Sequence, residues 1–233
     1  MNSTLGRLVR RIVWWLFTVL ARPEVVGQEN IPRQGAVILA MNHLSRVDSP
    51  LVAVTVTRTD ATALIGHSYK KILPIRWLVD LWGGTWINRD QTDMGALRIA
   101  LAILEQGGLL GLAPEGTRSR TGGLIPAKTG VAYLADKSGA LILPVAISGS
   151  ENIFSELRHL RRAKIRLEYG VPFSLPRVNR KDRDERLQRN TDEIMCHIAA
   201  MLPEQYWGVY AGHPRLQELL NQPEMPPESM VST

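Results

Sequence analysis

Short apolar runs, divided by glycine and proline and separated by stretches of helical periodicity, constrain this chain more than any other feature. The runs are AVILAM (36–41), ATALIG (61–66), GGTWIN (83–88), LLGLA (109–113), ALILPVAI (140–147) and KIRLEYG (164–170). Each is too short for a helix of ordinary length and reads as a strand. Helical patterns at 49–57, 75–82, 92–105 and 130–137 fall between them. Pro50 stands at a first helical position, and Gly107-Gly108 and Gly139 act as stops. A longer amphipathic helix, 182–202, turns Leu187, Ile194, Ile198 and Met201 inward. Alternating strands and helices predict an α/β fold with a central mostly parallel or mixed sheet flanked by helices, in a single layered domain over 24–221. The 233 residues, 45% hydrophobic and 21% charged, suffice for one such core and exclude a disordered chain. Residues 222–233, QPEMPPESMVST, predict a loose polar tail.

Residues 1–23 differ from the rest of the chain. They contain no acidic residue; Arg7, Arg10 and Arg11 precede Trp14, Trp15, Leu16 and Phe17. The apolar run is far short of the roughly 20 residues that span a bilayer. Arginine beside tryptophan and leucine predicts a helix lying in a membrane interface. A signal peptide cleaved near Ala21 and an ordinary core helix are the competing readings. The net charge of +6 points to an anionic partner. The single cysteine, Cys196, is expected to be buried and inert. No His/Cys group has zinc-ligand spacing, so no metal is expected.

Two loops carry the chemistry. In NHLSRVDSP (42–50), His43 and Asp48 follow a strand, where open α/β sheets place their ligands. An imidazole with an ordinary pKa of about 6.5 accepts a proton near neutrality. A carboxylate holding one ring nitrogen as N–H leaves the other as acceptor and stabilises the imidazolium. The alternative is a helix N-cap at Asp48 or Ser49 with an ordinary loop histidine. In LAPEGTRSRTG (112–122), Gly116 permits close approach of an anion, Thr117 offers a hydroxyl and Arg118 offers a fork matched to phosphate. Arg120 and Lys128 add charge. A turn with solvated arginines explains Gly116 but not Glu115 between Pro114 and Gly116. The spacing is not that of a nucleotide-binding P-loop. Arg89, closing GGTWINR, also reads as a surface partner of Asp90 or Asp93.

Together, NHLSRVD, GGTWINR, PEGTRS and LPVAISG resemble, in order, the four motifs of the glycerolipid acyltransferase family of PlsC-type lysophosphatidic acid acyltransferases. Asn42, His43 and Asp48 match the first, Gly83 and Arg89 the second, Pro114 to Ser119 the third and Pro144 the fourth. The resemblance spans about 25–175. Ala113 stands where the family has phenylalanine, and PAKTG (126–130) where it has Phe-Lys-x-Gly. The resemblance implies transfer of a fatty acyl group from acyl-CoA or acyl-carrier protein to the free hydroxyl of 1-acyl-glycerol 3-phosphate, giving phosphatidic acid, with no cofactor. His43 is then the base and Asp48 its orienter. Arg89, Arg118 and Lys70 (or Lys71) clamp the acceptor phosphate, and Glu115, Gly116 and Thr117 order the glycerol part or the loop. No G-x-S-x-G elbow is present, which predicts direct transfer without an acyl-enzyme.

The expected partners are a lysophospholipid, the acyl donor and an anionic membrane surface on the cytoplasmic face, held in a peripheral or monotopic manner. Glycerol 3-phosphate, another lysophospholipid or a glycolipid are alternative acceptors. A lysophospholipase-type hydrolase and a non-catalytic lipid-binding protein are rival classes. The basic stretches 158–166 and 177–189 lack interleaved aromatics and read as solvated faces rather than a nucleic-acid site. Oligomeric state has no signature in these residues.

Overall fold

The computed structural model describes residues 4–87, 94–178 and 181–221. Its strands are β1 (Ala21–Val26), β2 (Val37–Met41), β3 (Ala61–Gly66), β4 (Thr85–Ile87), β5 (Leu109–Leu112), β6 (Leu141–Ser148) and β7 (Ala163–Tyr169). Its helices are α1 (Thr4–Leu20), α2 (Asp48–Thr55), α3 (Leu73–Trp82), α4 (Met94–Glu105), α5 (Gly130–Ser138), α6 (Ile153–Arg158), α7 (Arg183–Ala200) and α8 (Pro214–Asn221). The strands form one sheet in the order β1-β7-β6-β2-β5-β3-β4. β6, β2, β5, β3 and β4 run parallel; β7 is antiparallel to β6, and β1 runs parallel to β7. The sheet is therefore mixed, with a parallel centre, as the alternation predicts.

Connection handedness distributes the helices. From β2 the chain moves outward through α2 and α3 to β3 and β4, then returns through α4 and α5 to β5 and β6. Right-handed crossovers in opposite directions place their helices on opposite faces. One core joins α1, α2, α3 and α6 to the sheet through Phe17, Leu51, Trp82 and Ile153. The other joins α4, α5, α7 and α8 through Leu104, Leu134, Ile194 and Leu216. Central strand β2 feeds both: Val37, Leu39 and Met41 enter the first core, Ile38 and Ala40 the second. Burial on both faces explains why it reads as an unbroken apolar run.

Strand β1 escapes the hydrophobic pattern because Arg22, Pro23 and Glu24 interrupt it. Proline is tolerated there because β1 is an edge strand. Thus α1 runs straight into the sheet. It packs on β1 and α2, and Arg10 Nε donates to the carbonyl of Val54 at 2.7 Å. The short helices α6 and α8 also lie beyond what the periodicity indicates. The tail from 222 onward lies outside the described residues. Cys196 is buried in α7, and burial pushes its thiol up to about 12.

α8 is clamped to α7 by one carboxylate. Arg215 donates to both oxygens of Glu193 at 2.7 and 2.9 Å, and His197 Nε2 lies 3.1 Å from Oε1. Burial opposes ionisation of Glu193, but these hydrogen bonds outweigh it and hold the carboxyl at about 2. A carboxyl with a depressed native pKa adds stability above its ordinary value of about 4.5, and that stability is lost as pH falls toward 2. Glu193→Gln is expected to lower unfolding stability by about 1–2 kcal/mol at neutral pH. The gap should shrink in urea titrations below about pH 4; a gap independent of pH would contradict the clamp.

Candidate active site

Asn42 and His43 immediately follow β2, at the C-terminal edge of the parallel strands. Asn42 is fully buried. Its amide donates to the carbonyl of Ile147 and accepts from the Ile147 N–H, both at 2.8 Å. A side chain thereby continues the β2–β6 pairing by one rung and fixes where His43 leaves the sheet.

From there the chain turns into α2, whose first residue is Asp48. Asp48 is fully buried, and its Oδ2 accepts the N–H groups of Leu44 and Ser45, each at 2.7 Å. The same oxygen lies 2.9 Å from His43 Nδ1. An ionised carboxylate has only acceptors to offer, so Nδ1 carries the proton and Nε2 is left as the acceptor. The second oxygen, Oδ1, is buried with no protein partner among the described residues. The negative charge therefore stays available to the imidazole. The His43 side chain is 19% exposed, enough to meet a substrate without being freely solvated. Asp48 does not cap α2 in the usual way. Its bonds go to residues preceding the helix, so they shape the loop and hold the imidazole.

β5, the neighbour of β2, delivers the second loop. Glu115 is buried; Oε1 accepts the N–H of His43 and Oε2 the N–H of Ile125, both at 3.0 Å. Ser119 returns the tie by donating its N–H to the His43 carbonyl at 2.8 Å. Burial pushes the Glu115 carboxyl up, against the lowering pull of the two N–H groups. Both of its oxygens are spent on backbone, which makes this side chain a brace between loops.

Gly116 closes a turn, donating its N–H to the Ala113 carbonyl, and has φ +70°. A side-chain carbon there would also sit 3.2 Å from Lys128 Cε and 3.4 Å from Nζ, so the glycine lets the lysine lie across the turn. Thr117 is exposed and Arg118 half-buried. Arg118 has no carboxylate partner among the described residues, and it precedes the residue bonded to His43. Among those residues, a guanidinium and an ammonium free of internal anions belong to the loop that is tied to the His43 backbone, an arrangement suited to an anionic group.

The structure thus gathers His43, Asp48, Glu115, Gly116, Thr117 and Arg118 at one place. Lys70 lies in a helical turn (His67–Lys71) after β3 on the same edge of the sheet, followed by exposed Ile72, Leu73 and Trp77. Arg89 lies outside the described residues. Sequence motifs alone do not assign a role to Asn42. Nor do they reveal a brace behind the second loop: Leu124 donates to the Tyr206 carbonyl, Val209 to the Leu124 carbonyl, and Ala127 to the Tyr210 hydroxyl. No local spacing signals that brace, because its halves lie far apart in the chain.

The sequence profile of the family described as Acyltransferase matches residues 22–148. A 1-acyl-sn-glycerol-3-phosphate acyltransferase of Borreliella burgdorferi is 32% identical over 132 residues, covering 56% of this chain and 52% of that protein. Its counterpart from Escherichia coli is 35% identical over 92 residues, covering 40% of this chain and 37% of its own. The chain therefore spans about half the length, or less, of these relatives. The crystal structure of the 1-acyl-sn-glycerophosphate acyltransferase PlsC from Thermotoga maritima superposes with a TM-score of 0.60 at 27% identity, covering 83% of each chain.

Proposed function

The chain belongs to the acyltransferase family, and on that premise we propose that it moves a fatty acyl group from a thioester donor to the free hydroxyl of 1-acyl-glycerol 3-phosphate, forming phosphatidic acid. One observation carries the reading: an imidazole held through Nδ1 by a buried carboxylate at 2.9 Å, its backbone bonded to the loop that carries an arginine without a carboxylate partner among the described residues. His43 Nε2 takes the proton of the acceptor hydroxyl as its oxygen attacks the thioester carbonyl. Asp48 stabilises the imidazolium, and the acyl carbon–sulfur bond breaks as the tetrahedral intermediate collapses. The thiolate leaves with little help, since a thiol has a pKa near 8.5, and it takes the proton back from His43. Arg118, Lys128, Lys70 and Arg89 are the cations proposed to receive the acceptor phosphate, and Gly116 and Thr117 shape the loop around it. Named 1-acyl-sn-glycerol-3-phosphate acyltransferases among the relatives favour this acceptor over other lysophospholipids.

We also propose that α1 holds the protein on the cytoplasmic face of a membrane, the side on which acyl-CoA and acyl-carrier protein are found. Leu5, Leu8, Ile12, Trp15, Leu16 and Val19 form an exposed stripe, while Val9 and Phe17 face the core. Such a helix has one face for protein and one for lipid. Among the described residues no helix is long and apolar enough to cross a membrane.

Radiolabelled acyl-CoA and acyl-carrier protein, each offered with a panel of lysolipids and glycerol 3-phosphate, test the assignment. The expected product is phosphatidic acid, with no fatty acid released when acceptor is omitted. Release of free acid alone would instead identify a hydrolase. Arg118→Met should raise KM for the phosphate-bearing acceptor about tenfold or more, with a smaller effect on KM for the donor. Equal effects on both substrates would remove Arg118 from the phosphate site.

A further inference from the structure

Residues 158–162, Arg-His-Leu-Arg-Arg, join α6 to β7 and take no part in the proposed chemistry. Leu160 is 97% exposed and has φ +55°, the one non-glycine positive φ among the described residues. Three bonds hold the turn: His159 and Arg161 donate their N–H groups to the Glu156 carbonyl, and Leu160 donates its own to the Leu157 carbonyl. This is the position after a helix where glycine is the favoured residue, because an L side chain is strained there. A leucine in a strained conformation, with almost no contact to the protein, does nothing evident for folding.

Its surroundings point to what it meets. β7 starts beside the C-terminal end of β6, because the two strands are antiparallel with Ser148 opposite Arg166. The turn therefore sits at the same edge of the sheet as His43. It is also tied to α1: the Arg162 guanidinium donates to the carbonyls of Thr18 and Ala21, and so caps the end of that helix. Ile153 and Leu157 pack into the same core as α1, which leaves Phe154 exposed on α6. Arg158 and Arg161 flank the leucine; Arg161 is held by Glu156, whereas Arg158 has no acidic partner among the described residues. An exposed apolar knob between arginines, on a turn tied to the end of the helix that carries the exposed stripe, complements an anionic bilayer surface.

We propose that the α6–β7 turn is a second membrane contact, in which Leu160 enters the acyl region and Arg158 meets lipid phosphates, so that the site edge of the sheet faces the bilayer. The inference rests on the membrane reading of α1 and extends it from one line of contact to two. Two contacts fix the tilt of the domain, where a single helix leaves it free to roll about the helix axis.

The test is co-sedimentation of the full chain with vesicles of equal parts phosphatidylglycerol and phosphatidylcholine. Leu160→Gly is expected to weaken binding about tenfold, the loss of one buried leucine, while raising Tm by a few degrees, on the order of 2–4 °C, through relief of strain. Arg158→Glu should weaken it on the order of tenfold at low salt, with the difference fading as salt is raised. Leu16→Glu, on the α1 stripe, serves as the reference. If Leu16→Glu releases the protein while Leu160→Gly and Arg158→Glu bind like the parent, the reading of α1 stands and the second contact falls. If all three bind like the parent, the membrane reading falls and takes this one with it. Unchanged vesicle binding with a raised KM for acyl-carrier protein in Arg158→Glu would make the turn a carrier-protein dock and overturn the proposal. So would a lowered Tm in Leu160→Gly.

Discussion

Replacing His43 with alanine is expected to lower the rate of the proposed acyl transfer by about 10²–10⁴-fold, the range contributed by a positioned general base, and to leave the fold in place. The second half of this expectation rests on where His43 makes its bonds. Its N–H donates to Glu115 and its carbonyl accepts from Ser119, so both loop ties are made by backbone and survive loss of the ring. The side chain itself is bonded to Asp48. Asp48→Asn should reach a similar rate by a different route and with a stability penalty. The amide oxygen can take the place of Oδ2, accept from Leu44, Ser45 and the imidazole, and keep the tautomer. It carries no charge to stabilise the imidazolium, and its NH₂ then occupies the position of Oδ1, which has no protein partner among the described residues. A buried unpaired donor costs about 1–3 kcal/mol. In the proposed mechanism the pair acts as a unit, so the double variant should be scarcely slower than either single one. Single-turnover rates and thermal unfolding measured on the three variants check this. Multiplicative rate losses would show that the two residues act separately.

The pairing of His43 with Asp48 is legible in the sequence because it is local: two residues five positions apart, between a strand end and a proline-marked helix start. The strands of the central sheet are legible for a related reason, since burial on both faces leaves little besides apolar residues in β2 and β6. The features that stay hidden are those whose partners are remote. Asn42 meets Ile147 across 105 positions, and Glu115 meets His43 across 72. In the sequence a buried asparagine and a solvated one look alike. β1 is hidden for a different reason. An edge strand needs only one apolar face and tolerates Pro23, so neither periodicity nor composition marks it. The same holds for the brace formed by residues 206–210, which is made largely of backbone bonds and has no side-chain pattern to find.

Glu115→Gln, a change of a single heavy atom, is expected to cut kcat by about 10²-fold and stability by about 1–3 kcal/mol. Both carboxylate oxygens accept from backbone N–H groups, of His43 on one side and Ile125 on the other. An amide has one acceptor and one donor. However it is turned, its NH₂ faces an N–H and one of the two ties is lost. The tie to Ile125 is supported from behind by Leu124, whose N–H and carbonyl are held by Tyr206 and Val209. The His43 segment keeps its ties through Ser119 and Asn42, but a glutamine that turns its oxygen toward Ile125 sets its NH₂ against the His43 N–H, and that repulsion should shift the imidazole. That predicts a loss weighted to kcat rather than to KM for either substrate, since displacing a base by about an ångström disturbs the transition state more than binding. The pH dependence gives an independent check. Burial raises the Glu115 carboxyl above its ordinary value, so the folded protein holds this proton to higher pH than the unfolded chain does. Its contribution to stability is fully present below about 4.5 and declines as pH rises through the raised value. Glutamine does not titrate. The stability advantage of the parent over Glu115→Gln should therefore be larger near about pH 5 than near about pH 8 in urea unfolding. An advantage that instead grew with pH would mean that the two N–H bonds outweigh burial, and Glu115 would then be a conventional ionised acceptor.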